Sequence, residues 1–297
     1  MLSAWLRVIR LRFLLASVIA VCLGLAINWW QNKTLNAEFA ALTFAGVIAL
    51  HASVDLLNDY WDHKRQIDTQ TRRTKFSGGT GVLPEGLLKP NQVYRAGLIL
   101  LIIGSLIGAY FIYERGITIA IILGFAIVSI YFYSTRIVDS GLGELFVTIK
   151  GSMIVLGTYF VQSSQITVEP ILAGIVSGVL SSTVLFVNSF PDYDADKAHG
   201  RKTLVIVLGK AKAATTVWMF PIISYGIIVA SVVMHIFPLI SLITLFTIPI
   251  VIKSGLSLKI KFDQVEGLTP VMRDFVSYSR ITCALLVVAF LVDFFIR

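Results

Sequence analysis

Apolar positions gather into nine long runs along the chain, at about 12–30, 38–57, 93–113, 116–134, 143–161, 170–190, 214–236, 238–252 and 279–296. A helix that crosses a bilayer needs roughly 20 mostly apolar residues. Each run therefore predicts one transmembrane helix, the eighth being the shortest. Polar positions collect between the runs. Two of these intervals, 58–92 and 191–213, are longer and more polar than a plain connection requires, and both mix acids with bases. Charge beside a membrane is costly and tends to mark function.

Composition narrows the class. Of 297 residues, 56% are hydrophobic and 14% charged, with a mean hydropathy of +0.82, against about 25% charged in a typical soluble domain. A disordered chain, a collagen-like repeat, a disulfide scaffold and a soluble globule are excluded. What remains is an all-α polytopic membrane protein, one domain over 1–297. The net charge of +8 reads as membrane orientation rather than nucleic-acid binding, because 21 of the 25 Lys and Arg fall on one set of alternate segments and 3 on the other. The positive-inside rule places the N-terminus and the segments after helices 2, 4, 6 and 8 in the cytoplasm. That predicts a multi-pass protein of the cell membrane with both polar segments on its cytoplasmic face. Arg7, Arg10 and Arg12 before the first run imitate a signal peptide. The run ends in Asn28-Trp29-Trp30 without a small-residue cleavage site, so a retained helix with an interfacial anchor is expected. Cys22 and Cys283 lie in apolar runs and read as small core residues. The four histidines show no metal-ligand spacing.

The first polar segment opens Asn58-Asp59-Tyr60-Trp61-Asp62 and reaches Asp68. The second reads Asn188-Ser189-Phe190-Pro191-Asp192-Tyr193-Asp194-Ala195-Asp196. Each follows an even-numbered run, and in each an Asn precedes an Asp by four residues, a weak internal repeat. Helical positions i and i+4 share a face. Asn58 and Asp62 therefore project together, and Asn188, Asp192 and Asp196 form a second stripe provided Pro191 only kinks its helix. Asp55, one turn before Asp59, widens the first face. Crowded carboxylates need cations. Asp and Asn oxygens suit Mg2+, which is usually held by one or two carboxylates plus substrate phosphates, and two facing acid stripes suit ions that bridge a diphosphate. Bases stand nearby for phosphate oxygens: Arg72, Arg73 and Lys75 after the first cluster, Arg201 and Lys202 after the second. Two other readings stay open at this point. One is solvated charge capping helix ends. The other is an ion-coupled transporter, although transporter sites usually sit near the bilayer midplane in broken helices. The run Ser77-Gly78-Gly79-Thr80-Gly81 lacks the Lys-[Ser/Thr] of a phosphate-binding Walker loop and reads as a lid or a tight turn.

Taken in order, these motifs resemble the UbiA superfamily of intramembrane prenyltransferases, and within it most closely the 1,4-dihydroxy-2-naphthoate prenyltransferases of menaquinone biosynthesis. The likeness rests on Asn58 to Asp62 and on through Asp68-Thr69, on Ser77 to Leu83, on Gly141-Leu142-Gly143-Glu144-Leu145-Phe146-Val147, on Gly157-Thr158-Tyr159-Phe160-Val161-Gln162, and on Asn188 to Asp192 and on to Thr203-Leu204. The nine runs agree with the family's helix count. The chain departs from the pattern at Gln66, where the superfamily often has a third acid, with Asp68 two residues on. It departs again at Lys150, in a run where an apolar residue is expected, and at Arg10-Leu11-Arg12, where a proline is missing.

The resemblance implies transfer of a polyprenyl group from its diphosphate to an aromatic acceptor, 1,4-dihydroxy-2-naphthoate ahead of 4-hydroxybenzoate, a hydroxyphenazine or geranylgeranylglyceryl phosphate. It implies Mg2+ held by Asn58, Asp62, Asp68, Asp192 and Asp196, with Asp62, Asp192 and Asp196 as the catalytic acids. Arg72, Arg73, Lys75, Lys202 and Arg12 would grip the diphosphate. Tyr131, Tyr133, Tyr159 and Asn188 would face the acceptor or steady the allylic cation, the tyrosines through their ring faces. Lys150, outside the pattern, reads either as a side chain that snorkels or pairs with Glu144, or as one that binds the diphosphate or an acidic acceptor. The partners are then a polyprenyl diphosphate, an aromatic acceptor and the lipid bilayer, with no nucleic acid.

Overall fold

Each of the nine apolar runs forms a helical span in the computed structural model, which describes residues 1–67 and 73–296. A short helix, α1 (Leu2–Val8), precedes α2 (Leu11–Asn32), α3 (Ala37–Lys64), α4 (Pro90–Arg115), α5 (Ile117–Phe132), α6 (Gly143–Ser163) and α7 (Val168–Asn188). Then come α8 (Tyr193–Ala198), α9 (Leu204–Leu208), α10 (Lys210–Thr216) and α11 (Met219–Val233). A 3-10 segment, Leu239–Thr247, runs into α12 (Ile248–Lys261), and α13 (Val265–Ile296) closes the chain. Among the described residues there is no strand.

Several boundaries differ from the sequence reading. Helix α3 continues to Lys64, so the first acid cluster lies on an unbroken helix. The Asn36 side chain caps its start by accepting from Phe39 N at 3.0 Å. Buried Leu56 and Leu57 hold its last turns against their neighbours. Helix α13 starts at Val265 rather than near 279. Its early turns bury Leu268, Val271, Met272 and Phe275 while their charged neighbours face outward, an amphipathic stretch that a search for uniform apolar runs misses. The eighth span, the 3-10 segment with α12, covers Leu239–Lys261 and is long enough to cross. The second acid stripe is not a single helix. Helix α7 ends at Asn188, the chain turns, and α8 begins at Tyr193. Pro191 has no N–H to give and its ring clashes with the preceding turn, so it breaks the helix instead of kinking it.

Helix α2 runs through the middle of the bundle and packs on α3, α6, α7 and α13. Helices α6 and α7 approach closely because small residues face each other. A Cβ on Gly151 would stand 2.6 Å from Gly178 Cα, and one on Gly174 would stand 2.8 Å from the Ser152 carbonyl oxygen. Small-residue contacts of this kind are how membrane helices come together without a hydrophobic driving force. At the end of the bundle that carries the acids, α1 and the 82–88 turn pack on α3 and α4 through Ala4, Val8, Leu56, Val82, Leu83, Leu88 and Val93.

Candidate active site

A cavity of about 340 Å3 opens at that end. Asn58, Asp62, Tyr133, Lys150, Asn188, Asp192 and Asp196 all line it, so both acid clusters reach one space. The link between them is Arg201. Its Nη2 is paired with Asp62 Oδ1, and its Nη1 lies 3.0 Å from Asp196 Oδ1. Gly200 at φ 77 turns the chain back after α8, a conformation that suits glycine, and aims Arg201 inward. Burial works against the Arg201 charge, yet Asp62 and Asp196 together outweigh it and hold the guanidinium above its ordinary value. Burial pushes the Asp196 carboxyl up from its ordinary range, with Arg201 opposing.

The glycine run is held by both clusters. Thr80 donates to Asp59 twice, from N at 3.1 Å and from Oγ1 at 2.8 Å. Gly78 N donates to Asp192 Oδ2 at 3.2 Å. Gly78, Gly79 and Gly81 all have φ between 71° and 81°, which lets the backbone turn its N–H groups towards the acids. Ser77, Gly78 and Gly79 thus form part of the cavity wall. Asp59, fully buried, also lies 3.6 Å from Arg10 Nη2. Arg65 braces the mouth, donating to the Ser134 carbonyl at 2.7 Å, to Asp139 at 3.2 Å and to the His199 carbonyl at 3.3 Å. Tyr133 enters the cavity from a π-helical turn, Tyr133–Ile137, that follows α5. Such turns often occur at functional positions.

Other predicted residues lie elsewhere. Arg73 bonds Glu85 at 2.8 Å on the surface, beside Arg7. Lys75, Lys202 and Arg12 are exposed and are not part of the cavity lining. Tyr131 is also exposed, and Tyr159 is buried near the opposite end of the bundle, where its hydroxyl donates to Gln31. Asp68 and Arg72 lie outside the described residues. Arg10 and Arg201 line the cavity, whereas the sequence marks Arg10 only as one of the basic residues before the first run and Arg201 only as one of two adjacent bases. Arg201 and Lys202 are neighbours in a non-helical stretch, Arg201 in the cavity wall and Lys202 exposed, so proximity to the acids in sequence does not distinguish them. For Arg10 the signal is backbone: φ 51 at the α1–α2 junction turns its side chain inward.

The cavity acids and amides present an all-oxygen donor set of the kind that holds Mg2+. Asn188 Oδ1 is buried without a hydrogen-bond partner among the described residues, while Asn58 Oδ1 accepts from Ser134 Oγ at 2.6 Å. No trio of His, Cys, Asp or Glu among the described residues stands close enough to bind a metal by itself. The set therefore fits a hard cation that completes its shell with ligand oxygens, rather than an all-protein cage. Below the acids an apolar cavity of about 130 Å3 adjoins, sharing Val47, Leu50, Ala126, Lys150 and Ile154 with the first.

Comparison with known proteins agrees with this architecture. The chain is 29% identical over 223 residues to the 1,4-dihydroxy-2-naphthoate octaprenyltransferase of Haemophilus influenzae, a match spanning 71% of each protein. Its fold is that of an apo UbiA homolog from Aeropyrum pernix K1, with a TM-score of 0.71 over 95% of this chain and 98% of that one at 14% identity. A UbiA homolog from Archaeoglobus fulgidus bound to DMAPP and Mg2+ gives a TM-score of 0.65 over 94% and 99% at 13% identity. Residues 8–263 match the UbiA prenyltransferase family, and with that match across most of its length the chain belongs to this family of integral membrane prenyltransferases.

Proposed function

We propose that this protein transfers a polyprenyl group from its diphosphate to an aromatic acceptor, 1,4-dihydroxy-2-naphthoate, in a Mg2+-dependent reaction at the cytoplasmic face of the cell membrane. The chain acts as one domain, with 58–92 and 191–213 shaping the mouth of the site. The observation that carries the reading is the junction of the two acid clusters at Arg201 in one cavity. The name of the Haemophilus relative supports the acceptor, and the alternating basic segments support the orientation.

Asn58, Asp62, Asp68, Asp192 and Asp196 would hold Mg2+, which when bound neutralises the diphosphate as a leaving group. Arg201 and Arg10 add positive charge at the same end of the cavity. As the allylic C–O bond breaks, its electron pair leaves with the diphosphate, and fixed positive charge aimed at that developing charge is the kind of contribution that is often largest in catalysis. The Tyr133 ring offers a π-face to the allylic cation, a contact worth about 2 kcal/mol when desolvated. The apolar lower walls and the adjoining cavity take up the first isoprene units and keep water away. A ring carbon of the acceptor then bonds to the allylic carbon and the ring releases a proton.

The test is incubation of purified protein with a labelled prenyl diphosphate, Mg2+ and a panel of acceptors. The account expects Mg2+-dependent release of diphosphate and a prenylated naphthoate product. No product with any aromatic acceptor, or accumulation of a solute in liposomes instead, would replace the enzyme reading with a transporter.

A further inference from the structure

Deeper in the cavity is a polar group that gripping a diphosphate does not use. Ser17 Oγ of α2 and His51 Nδ1 of α3 are joined at 2.6 Å. His51 Nε2 lies 3.8 Å from Asp55 Oδ2. Lys150 of α6 and Asp55 line the same cavity. Lys150 makes no hydrogen bond and no direct ion pair with any described residue. An ionisable side chain inside a transmembrane helix is costly, and it persists where something polar comes to meet it.

The depth of this group is informative. Asp55 precedes Asp62 by seven residues on one helix, a rise of about 10 Å. Lys150 is likewise seven residues into α6 from Gly143. A ligand that touches Lys150 thus reaches about two helical turns below the acid pair, past the apolar side chains of Val54, Ile130 and Val147. A flat aromatic ring suits that interval, with an anionic substituent on its lower edge. Lysine is a point charge with three donors and no acceptor, so it selects an anion. Asp55 Oδ2, buried without a hydrogen-bond partner among the described residues, offers an acceptor to a hydroxyl hydrogen on the same ring.

We propose that Lys150, with Asp55 and the Ser17–His51 pair, forms an acceptor subsite that selects aromatic hydroxy acids, Lys150 taking the carboxylate and the Asp55–His51 side taking a ring hydroxyl. This rests on the prenyl-transfer reading and deepens it. Lys150 is the specificity residue, touching the carboxylate on the ring carbon beside the one that is alkylated. Ser17 is a positioning residue that fixes the His51 ring.

The experiment uses the full chain in lipid nanodiscs with Mg2+ and farnesyl diphosphate. It measures KM for 1,4-dihydroxy-2-naphthoate and the inhibition constant of 1,4-naphthalenediol, the same ring without the carboxylate, for wild type, Lys150→Met and Lys150→Arg. A lost charge-assisted hydrogen bond predicts an acid KM raised about 10- to 100-fold in Lys150→Met. The diol constant and the KM for farnesyl diphosphate stay within about threefold, and Lys150→Arg recovers most of the acid affinity. Acid and diol weakening alike, or neither changing, overturns the proposal while leaving prenyl transfer intact. If Lys150→Met does not fold, a wild type that binds acid and diol equally well overturns it just as directly. A wild type that transfers farnesyl to no acceptor refutes the prenyl-transfer reading itself.

Discussion

In the first acid cluster Asn58 and Asp62 stand on successive turns of the unbroken helix α3. In the second, Asn188 ends α7, Asp192 sits in the turn behind Pro191, and Asp196 belongs to the six-residue helix α8. The spacing in sequence is the same and the backbone is not, yet both clusters line one cavity and meet at Arg201. A continuous helix places its side chains through its own periodicity. A broken one depends on outside ties, here the Asp192 bond from Gly78 and the turn at Gly200 that swings Arg201 onto Asp196. The first cluster should thus behave as a rigid half of the site and the second as a half that is held in place.

The largest effect that could break this comparison is loss of either half. Asp62→Ala and Asp192→Ala should each lower prenyl transfer by at least about 100-fold while the purified protein keeps its helical circular dichroism. Near-full turnover in either variant would remove that half from the site. Arg201→Ala leaves Asp62 and Asp196 buried without their shared cation, a loss of about 3 kcal/mol. It should appear as a lower thermal midpoint that Mg2+ with inorganic diphosphate partly restores. Pro191→Ala sharpens the comparison further. It permits α7 to continue, which would carry Asp192 and Asp196 away from Gly78 and Arg201, so Mg2+ affinity should drop about tenfold. The matching substitution on the rigid side, His63→Ala on the last turn of α3, should change it little.

Acid has a predictable sign. The Asp196 carboxyl stands above its ordinary range because it is buried, and as the proposed Mg2+ ligand it would have to be ionised. Affinity for Mg2+ should therefore fall as pH drops, starting above the usual carboxylate range, and Asp196→Asn should erase that part of the profile. The smallest effect belongs to the surface clasp. Glu85 is held below its ordinary value by its hydrogen bond from Arg7 and by Arg73. Its contribution to stability is present above its unfolded value and is lost as pH falls through the lowered one. Glu85→Gln should lower the thermal midpoint slightly at neutral pH and not at all below that window.

Much of the fold is legible in the residues because a bilayer demands uniform apolar runs of fixed length. It is less legible where a helix is amphipathic, as in the first turns of α13 with Leu268, Met272 and Phe275 on one side. The acids and asparagines that line the cavity stand out in the sequence by type and spacing. The cations do not, because which of several neighbouring bases turns inward is decided by a glycine at φ 77 or an arginine at φ 51, torsions that leave no trace in a composition. The Ser17–His51–Asp55 chain joins two helices through single side chains far apart in sequence, and no local pattern could pair them.

Closure of both clusters on one cation site can be read by electron paramagnetic resonance of Mn2+ standing in for Mg2+, titrated with inorganic diphosphate. Wild type, Asp62→Asn, Asp192→Asn and the double variant would be compared. If the clusters share one ion, either single variant loses most of the bound signal and the double variant is little worse than the singles, the mark of coupled residues. Strictly additive losses, or an Asp192→Asn protein that binds Mn2+ like wild type, would contradict it.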